Sequence, residues 1–460
     1  CNSERLMIPG NANPLLLASA AADAAAAGPT RSLRFNDGDS AYLSRTPSSA
    51  GNQKTWTISF WVKRVKSGAY NPMIDARSPQ NDSLVSLLFN SSDQFELGHY
   101  SFSSIKTSRV YRDFSSWYHI VLAVDTTQAT ASDRIKVYTN GVEETSFATS
   151  TYPAQNTTYN WNTASLHTIN QAGSFYGGQY LADIYAIDGS QLEPTSFGAY
   201  DDNGVWQAAA YSGTFGTNGF HLLDFANEST VGHDSSGNEN DFTANNISTS
   251  AGAGNDVLFD VPTNGDQTDT GAGGEISGNY CVINPLSIPS QSVTLSNGNL
   301  DHTGAGTNVA RVGTIAIPSS GKWYWEITCN SGGSGAWLLG INGDTNSQAL
   351  RLAYVSDARK YTDAGGGFSS YGASFTVGDI IGVAVDMDAD TLTFYKNGST
   401  QGTAFTSISS GYTNIFPYFQ TEHSGRGLSV NFGQRAWAYS APSNHKALCT
   451  TNLPTPTIAD

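Results

Sequence analysis

One pattern of residues occurs twice in this chain and constrains its fold more than any other feature. His119-Ile120-Val121-Leu122-Ala123-Val124-Asp125 is an apolar run closing on aspartate, and Val137-Tyr138-Thr139-Asn140-Gly141 follows it as a second run ending in Asn-Gly. Ile380-Ile381-Gly382-Val383-Ala384-Val385-Asp386 and Phe394-Tyr395-Lys396-Asn397-Gly398 repeat that order with a shorter loop between the runs. Asn-Gly after a strand-like run is a strong hairpin signal, because a tight two-residue turn needs positive φ at both positions and these residues tolerate it. Two copies of the arrangement predict two related β-units rather than one large sheet. The length of 460 residues allows two to three domains. Only 13% of the residues are charged, against 47 Gly, 22 Tyr, 21 Phe and 9 Trp. That balance excludes general disorder and a long helical bundle.

Trp56 to Val62 alternates with period two, which places Trp56, Ile58, Phe60 and Val62 on a core face and Trp61 on the opposite one. Lys322 to Thr328 alternates likewise, with Trp323, Trp325 and Ile327 facing one way. Residues 30–200 and 286–440 are therefore expected to be sandwiches. The Gly-, Asn- and Ser-rich residues 201–285 are expected to be an irregular bridge, and residues 441–460 an extended tail. In residues 1–29, Asn13 suits a helix cap and Pro14 the first helical position, while Gly28-Pro29 stops an Ala-rich run. Such a helix, about 21 Å long at 1.5 Å per residue, is apolar nearly all round and needs a partner surface, either its own chain or a larger assembly.

Two family resemblances rest on these blocks. Gly321 to Ile327, Leu339-Gly340-Ile341, Gly378 to Asp386 and Leu392 to Gly398 resemble the ordered motifs of SPRY domains. Leu33-Arg34-Phe35 with Tyr42-Leu43, Thr57 to Val62, Trp117 to Asp125, Tyr138 to Gly141 and Asp183 to Ile187 resemble a laminin-G-like, concanavalin-type domain. The resemblance implies an all-β chain of two antiparallel jelly-roll sandwiches, with a short N-terminal helix and an irregular bridge. The module order, from Asn11-Ala12-Asn13-Pro14 through His233-Asp234-Ser235-Ser236-Gly237-Asn238-Glu239-Asn240-Asp241-Phe242 to Leu448-Cys449-Thr450-Thr451-Asn452, resembles tail-fibre or other virion proteins of tailed bacteriophages. That implies a tail-appendage subunit on the virion, attached to other virion proteins through the N-terminal helix, assembled as a homo-oligomer with a trimer favoured, and recognising a host surface glycan. A capsid fibre or decoration protein and a secreted carbohydrate-binding adhesin are the alternatives.

Charge and side-chain chemistry limit the functions further. A formal charge of −16 repels phosphate backbones, which argues against nucleic acid as a partner, and no apolar stretch is long enough for membrane insertion. Cys1, Cys281, Cys329 and Cys449 show no zinc spacing, and a Cys281–Cys449 disulfide stays open. Asp386, Asp388 and Asp390 read as a polar turn. Asp234, Asn238 and Asp241 form the better calcium loop, because side-chain oxygens concentrate around Gly237, although Asx turns explain the same composition. No nucleophile elbow, carboxylate pair or phosphate loop stands out, so a non-enzymatic protein is expected. Trp and Tyr stack on sugar faces, and the expected ligand-binding aromatics are Trp61, Tyr159, Trp161, Tyr176, Tyr361 and Tyr371.

Overall fold

The computed structural model describes residues 28–454 apart from 77–84, 100–101, 224, 227–229, 289–290, 333–334, 344–350 and 411–413. The helix expected before Gly28 lies outside the described residues. The rest is all-β: strands joined by loops, with short 3-10 turns at Ala131–Asp133, Pro194–Ser196 and Thr450–Asn452.

Each half is a two-sheet sandwich, and the repeated pattern lies at the same place in both. In the first, Trp117–Asp125 pairs on one side with Thr55–Arg64 and on the other with Ile135–Thr139, whose turn leads into Val142–Glu143. In the second, Ile380–Asp386 lies between Lys322–Ser331 and Thr391–Lys396, whose turn leads into Ser399–Thr406. Both turns have the geometry that Asn-Gly demands, with φ of 49° and 80° at Asn140-Gly141 and 48° and 76° at Asn397-Gly398. The two asparagines make matching bonds. Asn140 Oδ1 accepts from the His119 N–H at 2.7 Å and Asn397 Oδ1 from the Ile380 N–H at 2.8 Å.

The glycines are fixed by packing as well as by φ. A Cβ at Gly141 would meet the Trp206 ring at 2.6 Å, and one at Gly398 would meet Tyr439 at 2.6 Å. Gly141→Ala and Gly398→Ala combine a left-handed backbone with overpacking, and each will cost about 1–3 kcal/mol in urea unfolding.

The alternating strands fill the cores as their period requires. Trp56, Ile58, Phe60 and Val62 are each 0% exposed and pack with Leu33, Phe35, Leu122 and Val137 inside the first sandwich. Trp325, Ile327, Leu339, Ile341, Phe394 and Phe419 fill the second. Segments between and after the sandwiches complete the sheets. Phe220–Leu222 pairs with Gln179–Asp188, Val257–Leu258 with Ser32–Phe35, and Thr243–Asn245 with Tyr42–Arg45. Near the C-terminus, Lys446–Ala447 pairs in parallel with Lys322–Ser331, and Trp437 stands edge-on to Tyr324 at 4.9 Å.

A buried polar seam joins the first sandwich to residues 256–280 of the connecting stretch and, through Asn297, Gly298 and Asn299, to the second sandwich. Lys63, 0% exposed, donates from Nζ to Asp260 Oδ2, Asn279 Oδ1 and the Tyr280 carbonyl, each at 2.8 Å, while Trp117 Nε1 donates to Asp260 Oδ1 at 3.1 Å. Arg34 holds Asp256 and reaches the Asn297 carbonyl. The Tyr180 hydroxyl donates to the Gly298 carbonyl at 2.8 Å, and Asn299 Nδ2 donates to the Val65 carbonyl at 2.7 Å. One apolar cluster runs continuously through this seam, from Trp61 and Tyr180 to Trp323 and Phe419. Directional bonds and shared core hold the two halves in one orientation.

Candidate functional site

Most aromatics expected to meet a ligand are enclosed. Trp61 is 3% exposed, its ring stacked on His119 at 4.8 Å, and Trp206 covers His119 in turn by donating from Nε1 to its Nδ1 at 2.9 Å. Alternation correctly set Trp61 opposite the first core, but that face is roofed by the segment that follows the sandwich. Tyr159 and Trp161 are buried against Trp56, each ring centroid 5.9 Å away. Tyr176 is half-buried beside Tyr42, and Tyr371 packs edge-on to Tyr354 while its hydroxyl donates to the Gly402 carbonyl. Tyr361 lies on an outward sheet face.

The expected calcium loop is held by hydrogen bonds. Asp234 Oδ1 accepts from the N–H groups of His221 and Ser236, at 2.8 and 2.9 Å, and its Oδ2 accepts from the Ser236 hydroxyl and the Asn240 N–H. Asp241 Oδ1 accepts from the Asp234 N–H at 2.7 Å, and the Asn238 amide donates to the Gly216 and Gly219 carbonyls. This is Asx-turn geometry, which spends the oxygens on donors. Among the described residues no cluster of three or more His, Cys, Asp or Glu is placed to hold a metal ion. Asp386, Asp388 and Asp390 likewise cap a turn, accepting from the N–H groups of Ala389, Gly321 and Ser409. Cys281, Cys329 and Cys449 are buried free thiols, with burial pushing their pKa values up to about 11, 12 and 12.

The residues that do converge lie on the outer face of the second sandwich's six-stranded sheet. Its order is Val309–Val312, Phe416–Thr421, Trp337–Asn342, Arg351–Val355, Arg359–Thr362, Gly367–Ser370. Antiparallel register places Arg351 opposite Asn342, Ala353 opposite Tyr361, and Tyr361 opposite Phe368. Alternation then puts Arg351, Ala353, Val355, Arg359, Tyr361 and Phe368 on one face, while Leu352 and Tyr354 point into the core.

Arg351 organises one part of this face. Its Nε and Nη2 form a fork on Asp363 at 2.9 Å each, Nη1 donates to Gln420 Oε1 at 3.1 Å, and the guanidinium lies 4.6 Å over the Tyr361 ring. Burial would lower the Arg351 pKa, but its bonds to Asp363 and Tyr418 outweigh that and raise it. Burial would raise the Asp363 carboxyl, yet donation from Arg351 and the Tyr361 hydroxyl holds it below the usual carboxylate range. Beside this pair Phe368 is 45% exposed, 4.8 Å from Tyr361 and under the Arg359 guanidinium at 4.1 Å. Arg359 is in turn bridged to Asp357.

The result is a platform of aromatic rings and charge-balanced guanidinium groups on paired strands. Such side chains dominate protein-recognition hot spots, because they offer large contact areas at low entropic cost. From sequence, Tyr361 was identified but Arg351, Arg359, Asp363 and Phe368 were not. The Tyr361-Thr362-Asp363 spacing places two of them on one strand face, but the pairing with Arg351 and Phe368 exists only in the folded register.

Comparison with known proteins assigns both halves. Residues 322–435 match the SPRY domain family and residues 36–183 the concanavalin A-like lectin/glucanases superfamily. The chain thus carries a SPRY domain and a concanavalin-like domain. It is 31% identical over 161 residues to Ran-binding protein 9 of Xenopus laevis, a match covering 32% of this chain and 29% of that protein. It is 29% identical over 129 residues to the E3 ubiquitin-protein ligase RKP of Arabidopsis thaliana, covering 26% of this chain and 10% of the relative. The chain therefore matches less than a third of either relative's length. The SPRY domain of human HERC1 aligns with 30% of this chain and 92% of its own at 22% identity, with a TM-score of 0.26.

These relatives, from a frog and a plant, overturn the expectation of a bacteriophage virion protein. With it fall the tail-appendage role, the capsid-fibre and secreted-adhesin alternatives and the virion location. The virion partners, the trimeric assembly and the host surface glycan as ligand fall too.

Proposed function

We propose that the concanavalin-like and SPRY domains of this chain form a protein-interaction unit without catalytic activity. In this reading the SPRY sheet receives a segment of a partner polypeptide across Tyr361, Phe368 and Arg359, and the concanavalin-like domain is held to it as a rigid support by the Lys63–Asp260 seam. The observation that carries the proposal is the exposed Phe368 ring held between Arg359 and Tyr361 on paired strands. An exposed aromatic normally wastes apolar area in water, and one fixed between a cation and a second ring is already ordered for contact. The name of one relative, a Ran-binding protein, agrees with a protein-interaction role.

The test is selection of a displayed library of random peptides on the full chain. Recovered peptides are expected to bind wild type and to lose about tenfold or more in affinity with Phe368→Ala and with Arg359→Ala, the cost of a hot-spot residue. Peptides that bind both variants as tightly as wild type would refute the placement. Asp363→Asn should act indirectly. It loosens the fork that fixes Arg351 over Tyr361, and a fall in peptide affinity of about threefold to tenfold without a change in fold is expected by calorimetry.

A further inference from the structure

The open edge of the concanavalin-like sandwich holds a second site of different chemistry. There Ile135–Thr139 and Val142–Glu143 of one sheet stand across from Phe147–Ser150, the edge strand of the other. The edges leave a cavity of about 400 Å³, within the range of small-ligand sites. Its lining divides in three, with Ser132, Thr145 and Ser150 adding hydroxyl groups to an apolar and a charged part. Ile135, Phe147 and Tyr152 continue the sandwich core as an apolar floor, and Asp133, Glu143 and Lys136 supply charge at the rim. Glu144 also lines it, but Arg109 takes its charge at 2.5 Å. Glu143 and Tyr152 both line this cavity, and burial together with the charge of Glu143 shifts the Tyr152 hydroxyl upward.

We infer that this cavity binds an alkylammonium group, seating the aliphatic stem on Phe147 and Tyr152 and the charge beside Glu143 and Asp133. Each part follows from the lining. The apolar floor rewards a hydrocarbon stem, the tyrosine face attracts a cation, and the rim carboxylates, Glu143 exposed and Asp133 half-buried, outnumber the single rim lysine. An anionic ligand would be repelled by the carboxylates, and a neutral one could accept no more than hydrogen bonding without the charge attraction a cation gains. The chain's charge of −16 adds long-range attraction for cations. The same chemistry is carried by a free amine and by a lysine side chain of a partner.

Calorimetric titration of the full chain with pentylamine, N-acetyl-lysine-N-methylamide and pentanol tests the inference. One saturable site is expected for at least one amine, weakened by salt, with pentanol failing to saturate. The ratio of the two amine affinities separates a free amine from a lysine side chain. Glu143→Gln, an exposed substitution that leaves the fold intact, should weaken amine binding about tenfold, and Lys136→Gln should tighten it a few-fold. Absence of a saturable site for both amines would overturn the inference. So would pentanol binding as well as pentylamine, or an affinity unchanged by Glu143→Gln.

Discussion

Asp260→Ala will destabilise the protein by about 3–5 kcal/mol, the cost of stranding one member of a buried ion pair. Lys63 and Asp260 are both 0% exposed, so solvent screening relieves nothing. Without the carboxylate the Lys63 ammonium keeps only Asn279 Oδ1 and the Tyr280 carbonyl, and Trp117 Nε1 loses its acceptor. Burial pushes the Asp260 carboxyl up, and the Lys63 ammonium opposes that shift. A buried pair of this kind fixes orientation more than it adds stability, because desolvation offsets most of its attraction. Lys63→Met combined with Asp260→Leu should recover most of the loss, whereas Lys63→Met alone leaves a buried carboxylate and should cost as much as Asp260→Ala. Urea unfolding of the three variants measures this. A single cooperative transition is expected in wild type because the core is continuous through the seam. Two separated transitions in wild type, or an Asp260→Ala loss under 1 kcal/mol, would contradict the described seam.

Acidification should have the next largest effect. His119, His302 and His167 are 1%, 0% and 3% exposed, and burial lowers their pKa values to about 3, 3 and 4. Each is held neutral in the folded protein and titrates near 6.5 when unfolded. Because the folded values are depressed for a base, their contribution to stability is complete above the unfolded value. It is lost as the pH falls below about 6.5, and the loss continues down to the folded values. Each group contributes a slope of about 1.4 kcal/mol per pH unit, so three give about 4 kcal/mol per unit below pH 6. By about pH 4.5 the total approaches the whole stability of an ordinary domain. Asp256, Asp260 and Glu326 act in the opposite sense, since burial raises their carboxyl values and their protonation on acidification favours the folded state. Neither ring nitrogen of His302 has a hydrogen-bond partner, so His302→Leu removes a titrating group without breaking a bond. It should flatten the acid limb of thermal stability against pH by about a third. An unchanged acid limb would show that this imidazole is not confined in its neutral form.

How much of this was legible beforehand follows from which interactions are local. The Asn140-Gly141 and Asn397-Gly398 turns and the core faces of Trp56 to Val62 and Trp323 to Ile327 are dictated by φ preference and by period two, and the structure reproduces them. Period two states which residues share a face, but not what covers the second face. Trp61 was therefore placed in solvent, when Trp206, far along the chain, roofs it over His119. Trp161 and Tyr159 were misplaced for the same reason: an aromatic in a turn-rich stretch can fold inward on a core assembled elsewhere. Asp234, Asn238 and Asp241 have the composition of a cation loop, and only their donors, His221 N–H among them, distinguish the hydrogen-bonded turn. The binding face was hardest to see. Arg351, Asp363 and Phe368 are ordinary residues until the register of three strands sets a guanidinium over one ring and a second ring beside it. The lysine-63 seam was likewise invisible, because its acceptors Asp260 and Asn279 come from a stretch whose composition reads as linker.

Hydrogen exchange of the full chain with and without a peptide recovered from the displayed library tests whether a partner binds the outer face of the SPRY sheet. Slowed exchange is expected, confined to Arg351–Val355, Arg359–Thr362 and Gly367–Ser370 and the loops joining them. Protection on the concanavalin-like sandwich or along the seam, with exchange on those three strands unchanged, would contradict it.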